Sequence, residues 1–285
     1  MKLAPPPDVM LEPLVRNALL EDLGRAGDVT TDAVIPSGKK WKGALVARQK
    51  GILAGLDTAR LAFRLIDAGV KFTAKKADGD SLKPKDVIAV LEGPARSIIS
   101  AERVALNFLC HLSGVATATK ELADNAKPYK ARICCTRKTT PGLRMLEKYA
   151  VRAGGGMNHR FGLDDAILIK DNHIAAAGSI KKAVLAAREH AGHLVKIELE
   201  VDRLEQLREA LDLPIDAVLL DNMSPAQLKK AVKMVGGKFV TEASGRVNKH
   251  TVKAIAASGV DVISCGWITH SAPILDIGLD AFLSP

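Results

Sequence analysis

The sequence has few aromatic residues, few cysteines and no long apolar run. Aromatic residues make up 4% of the 285 residues, which leaves few rings for stacking on bases and disfavours a reader of single-stranded nucleic acid. The four cysteines include no CxxC pair, so the sequence predicts neither a zinc site nor a disulfide framework and is typical of a reducing compartment. Because it has neither an apolar signal core nor a charge-free stretch of membrane-spanning length, we expect a cytoplasmic protein with no membrane partner.

Positive charge is in excess. Lys and Arg together number 41 against 32 Asp and Glu, which gives a formal net charge of +9. An excess of this size indicates either a polyanionic partner or an anionic small molecule. The positions of the cations must distinguish these two possibilities.

The first third of the sequence is typical of a small α+β domain. Apolar residues between positions 11 and 19 recur with helical spacing, which predicts an amphipathic helix. A second helix is predicted at 57–67, and a long helical pattern at 100–123 connects this region with the rest. Short β-like runs, separated by Gly and Pro, occur at 44–47, 70–73 and 87–91.

Strands and helices alternate in the remainder of the chain. The predicted strands lie at 133–136, 166–169, 195–200, 217–220, 238–242 and 260–264. The predicted helices lie at 179–189, 203–211, 224–235 and 249–258. This alternation predicts a parallel α/β sheet or barrel.

Charged and glycine residues close the predicted strands, and the carboxyl ends of parallel strands are where such folds place their sites. The positive members are Arg137, Lys138, His159, Arg160 and Lys170. Each of them alone is typical of a solvated surface cation, but several cations at one edge favour a ligand with several negative charges.

Acidic and glycine residues complete this group. Glu200 and Asp221 could hold Mg²⁺ on phosphates or offset a cation that develops on a substrate. Glu198 lies in phase with Glu200 and could share that role. Ser244-Gly245 and Gly266 could present backbone N–H groups to a phosphate.

Several runs of the sequence resemble the quinolinate phosphoribosyltransferase family, the carboxylating nicotinate-nucleotide pyrophosphorylases. They are Glu102-Arg103-Val104-Ala105-Leu106-Asn107, Thr136-Arg137-Lys138-Thr139-Thr140-Pro141-Gly142, Gly156-Met157-Asn158-His159-Arg160, Lys170-Asp171-Asn172-His173 and Leu219-Leu220-Asp221-Asn222. The resemblance extends over essentially the whole chain and includes Gly27-Asp28-Val29-Thr30-Thr31.

The resemblance implies an α/β fold with two domains. The first is an N-terminal α+β sandwich at 1–112, and the second is an incomplete, open α/β barrel at 113–285, from which residues 272–285 pack back on the first. It also implies a homodimer or a higher assembly in which Arg103 enters the neighbouring subunit's site. Neither a nucleic acid nor a membrane is expected as a partner.

The implied reaction joins quinolinate to phosphoribosyl pyrophosphate and gives nicotinate mononucleotide, pyrophosphate and CO₂ for NAD biosynthesis. By similarity, the quinolinate carboxylates are held by Arg103, Arg137, His159, Arg160 and Lys170. The phosphoribosyl group and its Mg²⁺ are handled by Lys138, Glu200, Asp221, Ser244, Gly245 and Gly266, and Thr136 is also expected to bind substrate. Among these, Lys138, Glu200 and Asp221 are expected to be catalytic, and Glu200 and Asp221 to hold the Mg²⁺ directly or through water or phosphate.

Two alternatives remain open at the level of sequence. A paralogue of the same fold, such as a molybdenum-utilisation protein or a nicotinate phosphoribosyltransferase, would share the scaffold but not the full Arg137-Lys138 and His159-Arg160 pairs. A basic nucleic-acid-binding module would spread its cations over an exposed face with interleaved rings. One departure from the family is Arg246, which stands where many members have a second glycine.

Overall fold

The computed structural model describes residues 3–281, which form two compact units. The first comprises the described residues up to Lys120, the segment Pro141–Gly155 and the described residues from Ala272 onward. The second comprises Glu121–Thr140 and Gly156–Ser271. Residues 1–2 and 282–285, which the sequence analysis assigns to the predicted domains, lie outside the described residues.

The helices and strands follow one another along the chain. The helices are α1 (Asp8–Leu23), α2 (Val29–Val34), α3 (Leu56–Ile66), α4 (Ala95–Ala126), α5 (Arg144–Ala153), α6 (Asp171–Ala177), α7 (Ile180–His190), α8 (Leu204–Ala210), α9 (Pro225–Val235), α10 (Val252–Ala256) and α11 (Trp267–His270). The strands are β1 (Lys40–Ala47), β2 (Gly51–Ile52), β3 (Lys71–Ala74), β4 (Ser81–Leu82), β5 (Val87–Pro94), β6 (Arg132–Cys134), β7 (Ile167–Ile169), β8 (Ile197–Val201), β9 (Ala217–Asp221), β10 (Val240–Ser244), β11 (Val262–Ser264) and β12 (Ile277–Ala281).

The first unit is built on an antiparallel sheet in the order β12-β1-β5-β3. Helix α1 buries Leu11, Val15 and Leu19, the apolar face that the sequence predicts. Helix α3 buries Leu61 and Phe63 in the same way. Burial of these aliphatic and aromatic side chains provides the main stabilisation of the unit.

The second unit contains a parallel sheet of six strands in the order β6-β11-β10-β9-β8-β7. Within the described residues its two outermost strands, β6 and β7, do not pair with each other, so the sheet does not close. Most strand residues are buried, as expected when helices cover a parallel sheet. The predicted α+β domain followed by an open α/β barrel is thereby confirmed.

Helix α4 is longer than its sequence pattern indicates, since it begins five residues before the predicted start at residue 100 and ends after residue 123. Among the described residues, none of the helices combines the length and the apolar character needed to cross a membrane.

Helices α5 and α6 were not predicted from the sequence, and neither was the short helix α2. Helix α5 buries the charged residues Glu147 and Lys148, which interrupt the apolar pattern on which helix prediction depends. Helix α6 has no buried residue at all, so it carries no amphipathic signal. Its first residues, Asp171 and Asn172, lie just after the strand predicted at 166–169.

Candidate active site

The main cavity of the second unit lies at the carboxyl ends of its parallel strands and has a volume of about 580 Å³. Its walls carry the polar residues that follow or close those strands. The lining residues are Thr136, Arg137, Lys138, His159, Arg160, Leu168, Lys170, Glu200, Leu219, Asp221, Asn222, Glu242, Ser244, Gly245, Arg246 and Ser264. Because all six strands run the same way, residues far apart in sequence meet at one edge of the sheet.

The segment after β6 supplies three of these residues, and its backbone is fixed by two hydrogen bonds. The Lys138 N–H donates to Thr136 Oγ1 at 2.9 Å, and the Thr269 hydroxyl donates to the Lys138 carbonyl at 2.7 Å. The Lys138 side chain is exposed, whereas Arg137 is half-buried. This segment therefore presents two cations from a restrained backbone.

His159 and Arg160 come shortly after Met157, which forms a parallel β-bridge with Cys134 at the edge of β6 that does not pair with β11. The Arg160 backbone N–H donates to His159 Nδ1 at 2.8 Å, and His159 Nε2 lies 3.0 Å from Glu198 Oε2. Arg160 Nη1 donates to the Ala166 carbonyl at 2.9 Å. Burial, reinforced by the positive charge of Arg137, lowers the pKa of Arg160 below its usual value.

Lys170 and Glu200 form an ion pair across the ends of β7 and β8, with Nζ 3.0 Å from Oε2. The Lys170 side chain is 46% exposed and the Glu200 side chain 19%, so the pair borders the cavity opening. At the end of β9, Asp221 accepts a hydrogen bond from Asn222 Nδ2 at 2.6 Å. Glu200 and Asp221 thus present carboxylate oxygens from neighbouring strands, the type of ligand that Mg²⁺ prefers.

Gly245 is required by the backbone at the end of β10. It has a φ of +95°, and a Cβ atom there would lie 2.2 Å from Asn222 Oδ1. The following Arg246 also has a positive φ, +53°, in the left-handed region that residues other than glycine seldom adopt. Its side chain lines the cavity at the place where the sequence departs from the family pattern.

Gly266 lies in an adjoining recess of about 200 Å³, outside the main cavity. A Cβ atom at this position would lie 2.9 Å from Lys138 Cδ and 3.2 Å from Thr136 Oγ1. The absence of a side chain therefore permits the close approach of Lys138. Thr136, Lys138, Ser244 and Gly245 line both the recess and the main cavity, so the two spaces are neighbours.

The structure brings together most of the residues that the sequence singled out. Arg103 does not line the cavity, and it is an exposed residue of α4. Sequence analysis missed Glu242, a buried carboxyl in the middle of β10. Its two-residue spacing from Ser244, which places both side chains on one face of the strand, is the signal that could have identified it.

A cavity lined by cations at the carboxyl edge of a parallel sheet defines a class of α/β-barrel proteins that bind small polyanions. Family models for quinolinate phosphoribosyl transferase match the chain twice, the N-terminal domain over residues 28–113 and the C-terminal domain over residues 115–280. The chain belongs to the quinolinate phosphoribosyl transferase family.

Similar proteins agree with this assignment. The chain is 46% identical to a probable carboxylating nicotinate-nucleotide pyrophosphorylase of Bacillus subtilis over 276 residues, which cover 97% of this chain and 95% of the relative. It is 43% identical to the corresponding protein of Mycobacterium leprae, with 93% and 95% covered. The crystal structure of NadC from Streptococcus pyogenes superposes with a TM-score of 0.93 at 39% identity, covering 98% of this chain and 100% of that chain.

Proposed function

We propose that this protein transfers the phosphoribosyl group of phosphoribosyl pyrophosphate to quinolinate, with loss of CO₂, and so forms nicotinate mononucleotide for NAD biosynthesis. The observation that carries this conclusion is the match of both family domains to a chain whose strand ends gather five Lys and Arg residues around one cavity. Such a cavity suits a substrate with two carboxylates better than one with a single carboxylate, because a single carboxylate would offer fewer anionic partners to the half-buried guanidinium groups of Arg137 and Arg160.

The cations divide into two groups by position. Arg137 and Arg160 are half-buried, and their planar guanidinium groups suit the paired oxygens of the quinolinate carboxylates. Lys170 borders the cavity opening and adds a third positive charge. These residues, with His159, would orient the pyridine ring so that its nitrogen faces the ribose.

The phosphoribosyl group is assigned to the other side of the cavity and to the adjoining recess. Thr136, Ser244, Gly245 and Gly266 would hold the phosphate through hydroxyl and backbone N–H groups, and Lys138 would neutralise it. Glu200 and Asp221 are the residues that would hold Mg²⁺, since their oxygens fit this cation. When bound, Mg²⁺ supplies positive charge to the departing diphosphate.

The chemistry follows from the charges of the chain's own residues. The bond from ribose carbon 1 to the diphosphate breaks, and the pyridine nitrogen donates its electron pair to that carbon. The carboxylates of Glu200 and Asp221 favour the positive charge that develops on the ribose. The cationic ring then accepts the electron pair released when the bond between carbon 2 and its carboxylate breaks, and carbon 2 takes up one proton as CO₂ leaves.

The test of this function is direct. Purified protein would be mixed with quinolinate labelled at the 2-carboxylate, phosphoribosyl pyrophosphate and Mg²⁺, and the labelled CO₂ and the mononucleotide would be measured. We expect equal amounts of both products, no release without phosphoribosyl pyrophosphate, and hardly any turnover of nicotinate. Comparable turnover of nicotinate, or a folded protein that releases no CO₂, would contradict the proposal.

We also infer a homodimer in which Arg103 completes the neighbouring subunit's site. Its exposed position on α4 leaves the guanidinium accessible for this role. Arg103→Ala and Lys138→Ala homodimers should each be nearly inactive, whereas random subunit exchange makes half the dimers mixed, with one intact site each. Activity should then return to about a quarter of that of the unaltered protein.

The outcome that contradicts shared sites is the absence of recovery when native mass spectrometry confirms exchange. Arg103 would then act within its own subunit. A cytoplasmic location is inferred as well, and it is compatible with the four cysteines of the described chain, which are buried and form no disulfide there. Fractionation of cells that make the protein is the corresponding measurement.

A further inference from the structure

A buried cluster of one histidine and two glutamates lies beside the cavity, which two of its members, His159 and Glu242, line. His159 Nε2 lies 3.0 Å from Glu198 Oε2 and 3.6 Å from Glu242 Oε1. The side chains are only 13%, 12% and 7% exposed, respectively. Two buried carboxylates beside a site for a dianion would repel both each other and the ligand, so the protonation of this cluster determines what the cavity can bind.

The hydrogen bonds fix the tautomer of His159. Its Nδ1 accepts the Arg160 backbone N–H, so that nitrogen carries a lone pair and no proton. The proton of the neutral ring is then on Nε2, from which it is donated to Glu198. His159 is therefore neutral in this arrangement, in contrast to the positive charge expected from the sequence.

A neutral His159 leaves the cluster without a positive charge of its own. Arg160 lies close enough to Glu198 for their charges to interact, so Glu198 has a cation nearby. Glu242 has no such partner in the cluster. In the sheet it pairs with Leu219 and Val262, both of which are apolar.

The groups that face Glu242 come from each neighbouring part of the barrel. They are Glu198 on β8, His159 before β7, Cys135 after β6 and Ser264 on β11, and the charged residues Arg137, Lys138, Arg160, Lys170, Glu200 and Asp221 line the same cavity. Burial, followed by the negative charge of Glu198, raises the pKa of Glu242 to about 7, and the Ser264 hydroxyl opposes this shift only in part.

One oxygen of Glu242 is buried without a hydrogen-bond partner among the described residues. This atom is Oε1, and the residue lines the cavity. A buried polar atom without a partner is costly unless a ligand completes its hydrogen bonding. We propose that Glu242 is a specificity-determining residue that binds quinolinate in its protonated form, donating its O–H to a substrate carboxylate.

Binding of the diacid is consequently coupled to uptake of one proton. This inference rests on the proposed function, because it takes quinolinate as the ligand. The ionised form of Glu242 would face the incoming carboxylate with a like charge, whereas the protonated form offers it a hydrogen bond. Glu242 thereby favours a ligand that places a carboxylate next to the Glu242 side chain.

A metal ion is the alternative occupant of the cluster, since the three side chains can offer ligand atoms within 4.8 Å of one another. A metal on His159 Nε2 would need the lone pair of that nitrogen and would move the ring proton to Nδ1. That proton would then point at the Arg160 N–H, which already occupies the position. The backbone hydrogen bond therefore favours a proton in this cluster over a cation.

The experiment is calorimetric titration of the free protein with quinolinate between pH 6 and pH 9, in two buffers with different ionisation enthalpies. The difference between the buffers gives the number of protons taken up. We expect uptake to approach one proton per quinolinate at pH 8. The affinity should fall by about tenfold for each pH unit above the pKa of Glu242, as linkage requires.

Two variants and one control sharpen the result. In Glu242→Gln an amide donor replaces the carboxyl, so the proton uptake that depends on Glu242 should disappear and the affinity should lose its pH dependence. Glu242→Ala removes the hydrogen bond and should weaken binding at every pH. Asp261→Asn changes a carboxyl at the opposite end of the same strands and should leave the uptake as in the unaltered protein.

Each contrary outcome is distinct. If Glu242→Gln takes up as many protons as the unaltered protein, another group carries the proton. If the purified unaltered protein contains one metal ion per chain and Glu242→Gln does not, the cluster is a metal site. If the protein neither binds quinolinate nor releases CO₂ from it, the proposed function fails; if it does both without proton uptake, only this inference fails. If Glu242→Gln does not fold, infrared spectroscopy of the unaltered protein replaces it. The complex with quinolinate at pH 8 should then show the C=O stretch of a protonated carboxyl, and its absence would contradict the inference.

Discussion

The two ends of the parallel sheet carry charged residues in opposite electrostatic situations. At the amino ends of the strands, Lys130 pairs with Asp261 at 2.6 Å, and Asp216 accepts from Lys196 at 2.7 Å and from Arg188 at 2.9 Å. A cavity of about 470 Å³ lies there as well. At the carboxyl ends Lys170 also pairs with Glu200, but like charges lie close together there as well, Arg137 beside Arg160 and Glu198 beside Glu242.

The pKa values of the two ends shift in opposite senses. Burial alone would raise the pKa of Asp216, but hydrogen bonds from Lys196, the Ile197 N–H and Arg188 outweigh it and hold the pKa at about 2. At the carboxyl ends the pKa of Glu242 is raised to about 7 and that of Arg160 is lowered. The amino-end shift thus favours the charged form, whereas the carboxyl-end shifts favour the neutral forms.

The difference between the two ends shows that charged residues stabilise the fold at the amino ends of the strands and serve ligand binding at the carboxyl ends. Pairs at the amino ends are satisfied within the fold and have nothing further to bind. Gathering cations at the carboxyl ends opposes folding, and an anionic ligand relieves the repulsion when it binds. The presence of a cavity alone does not make this distinction, since both ends have one.

Removal of one guanidinium at each end should give the largest contrast. We expect Arg137→Ala to lower kcat/KM by about 10³-fold, because loss of one partner from a desolvated charge pair costs about 4 kcal/mol. Arg188→Ala should leave kcat/KM within about twofold, since its partner Asp216 lies at the other end. Steady-state kinetics of both variants would decide, and equal losses of activity would contradict the comparison.

Asp221→Asn should have the next largest effect, a fall in kcat/KM of about 10²-fold, because the lost charge serves the phosphoribosyl group and the developing ribose cation. Quinolinate affinity of the free protein should change by less than about twofold. Calorimetric titration of free Asp221→Asn with quinolinate is the control, since it measures that affinity directly. A large loss of quinolinate affinity with near-normal turnover at saturation would place Asp221 in the diacid pocket instead.

Much of the carboxyl end could be predicted from sequence because its residues lie at or near the ends of strands. Lys170 and Asp221 follow apolar runs directly, Glu200 is the last residue but one of β8, and the parallel arrangement brings the three together. Glu242 could not be assigned in this way. It lies within β10, and only the packing of β10 between β9 and β11 shows that its side chain is buried beside Glu198.

The fold divides similarly. Strongly periodic elements such as α1 and the strands of the barrel were predicted, whereas α5 and α6 were missed because their faces lack a simple apolar pattern. The state of His159 also depends on structure. A histidine in sequence could be neutral or charged, and its contact with the Arg160 N–H decides between them.

Glu242→Gln should stabilise the fold at neutral and higher pH. The raised pKa of Glu242 means that the native protein binds a proton more tightly than the unfolded chain, so its contribution to stability declines as the pH rises from about 4.5 to about 7. Relative to the unaltered protein, the variant should gain about 2 kcal/mol across this window. Urea denaturation of both proteins at pH 5 and pH 8 measures the gain. If the difference in free energy of unfolding between them is the same at the two pH values, Glu242 titrates normally.

Asp216→Asn should show the opposite sign and the smallest effect. The pKa of Asp216, held at about 2 by its hydrogen bonds, lies below the ordinary value of 3.8, so its contribution to stability is complete above about pH 4 and is lost as the pH falls toward 2. Because the side chain is 22% exposed and its partner Lys196 76%, solvent screening reduces the loss in the variant to about 1 kcal/mol at pH 7. Urea denaturation between pH 2 and pH 7 should show the difference between the two proteins shrinking at the acidic end. A difference that grows there would mean that Asp216 is not ionised in the folded protein, and the contrast between the two ends of the sheet would fail.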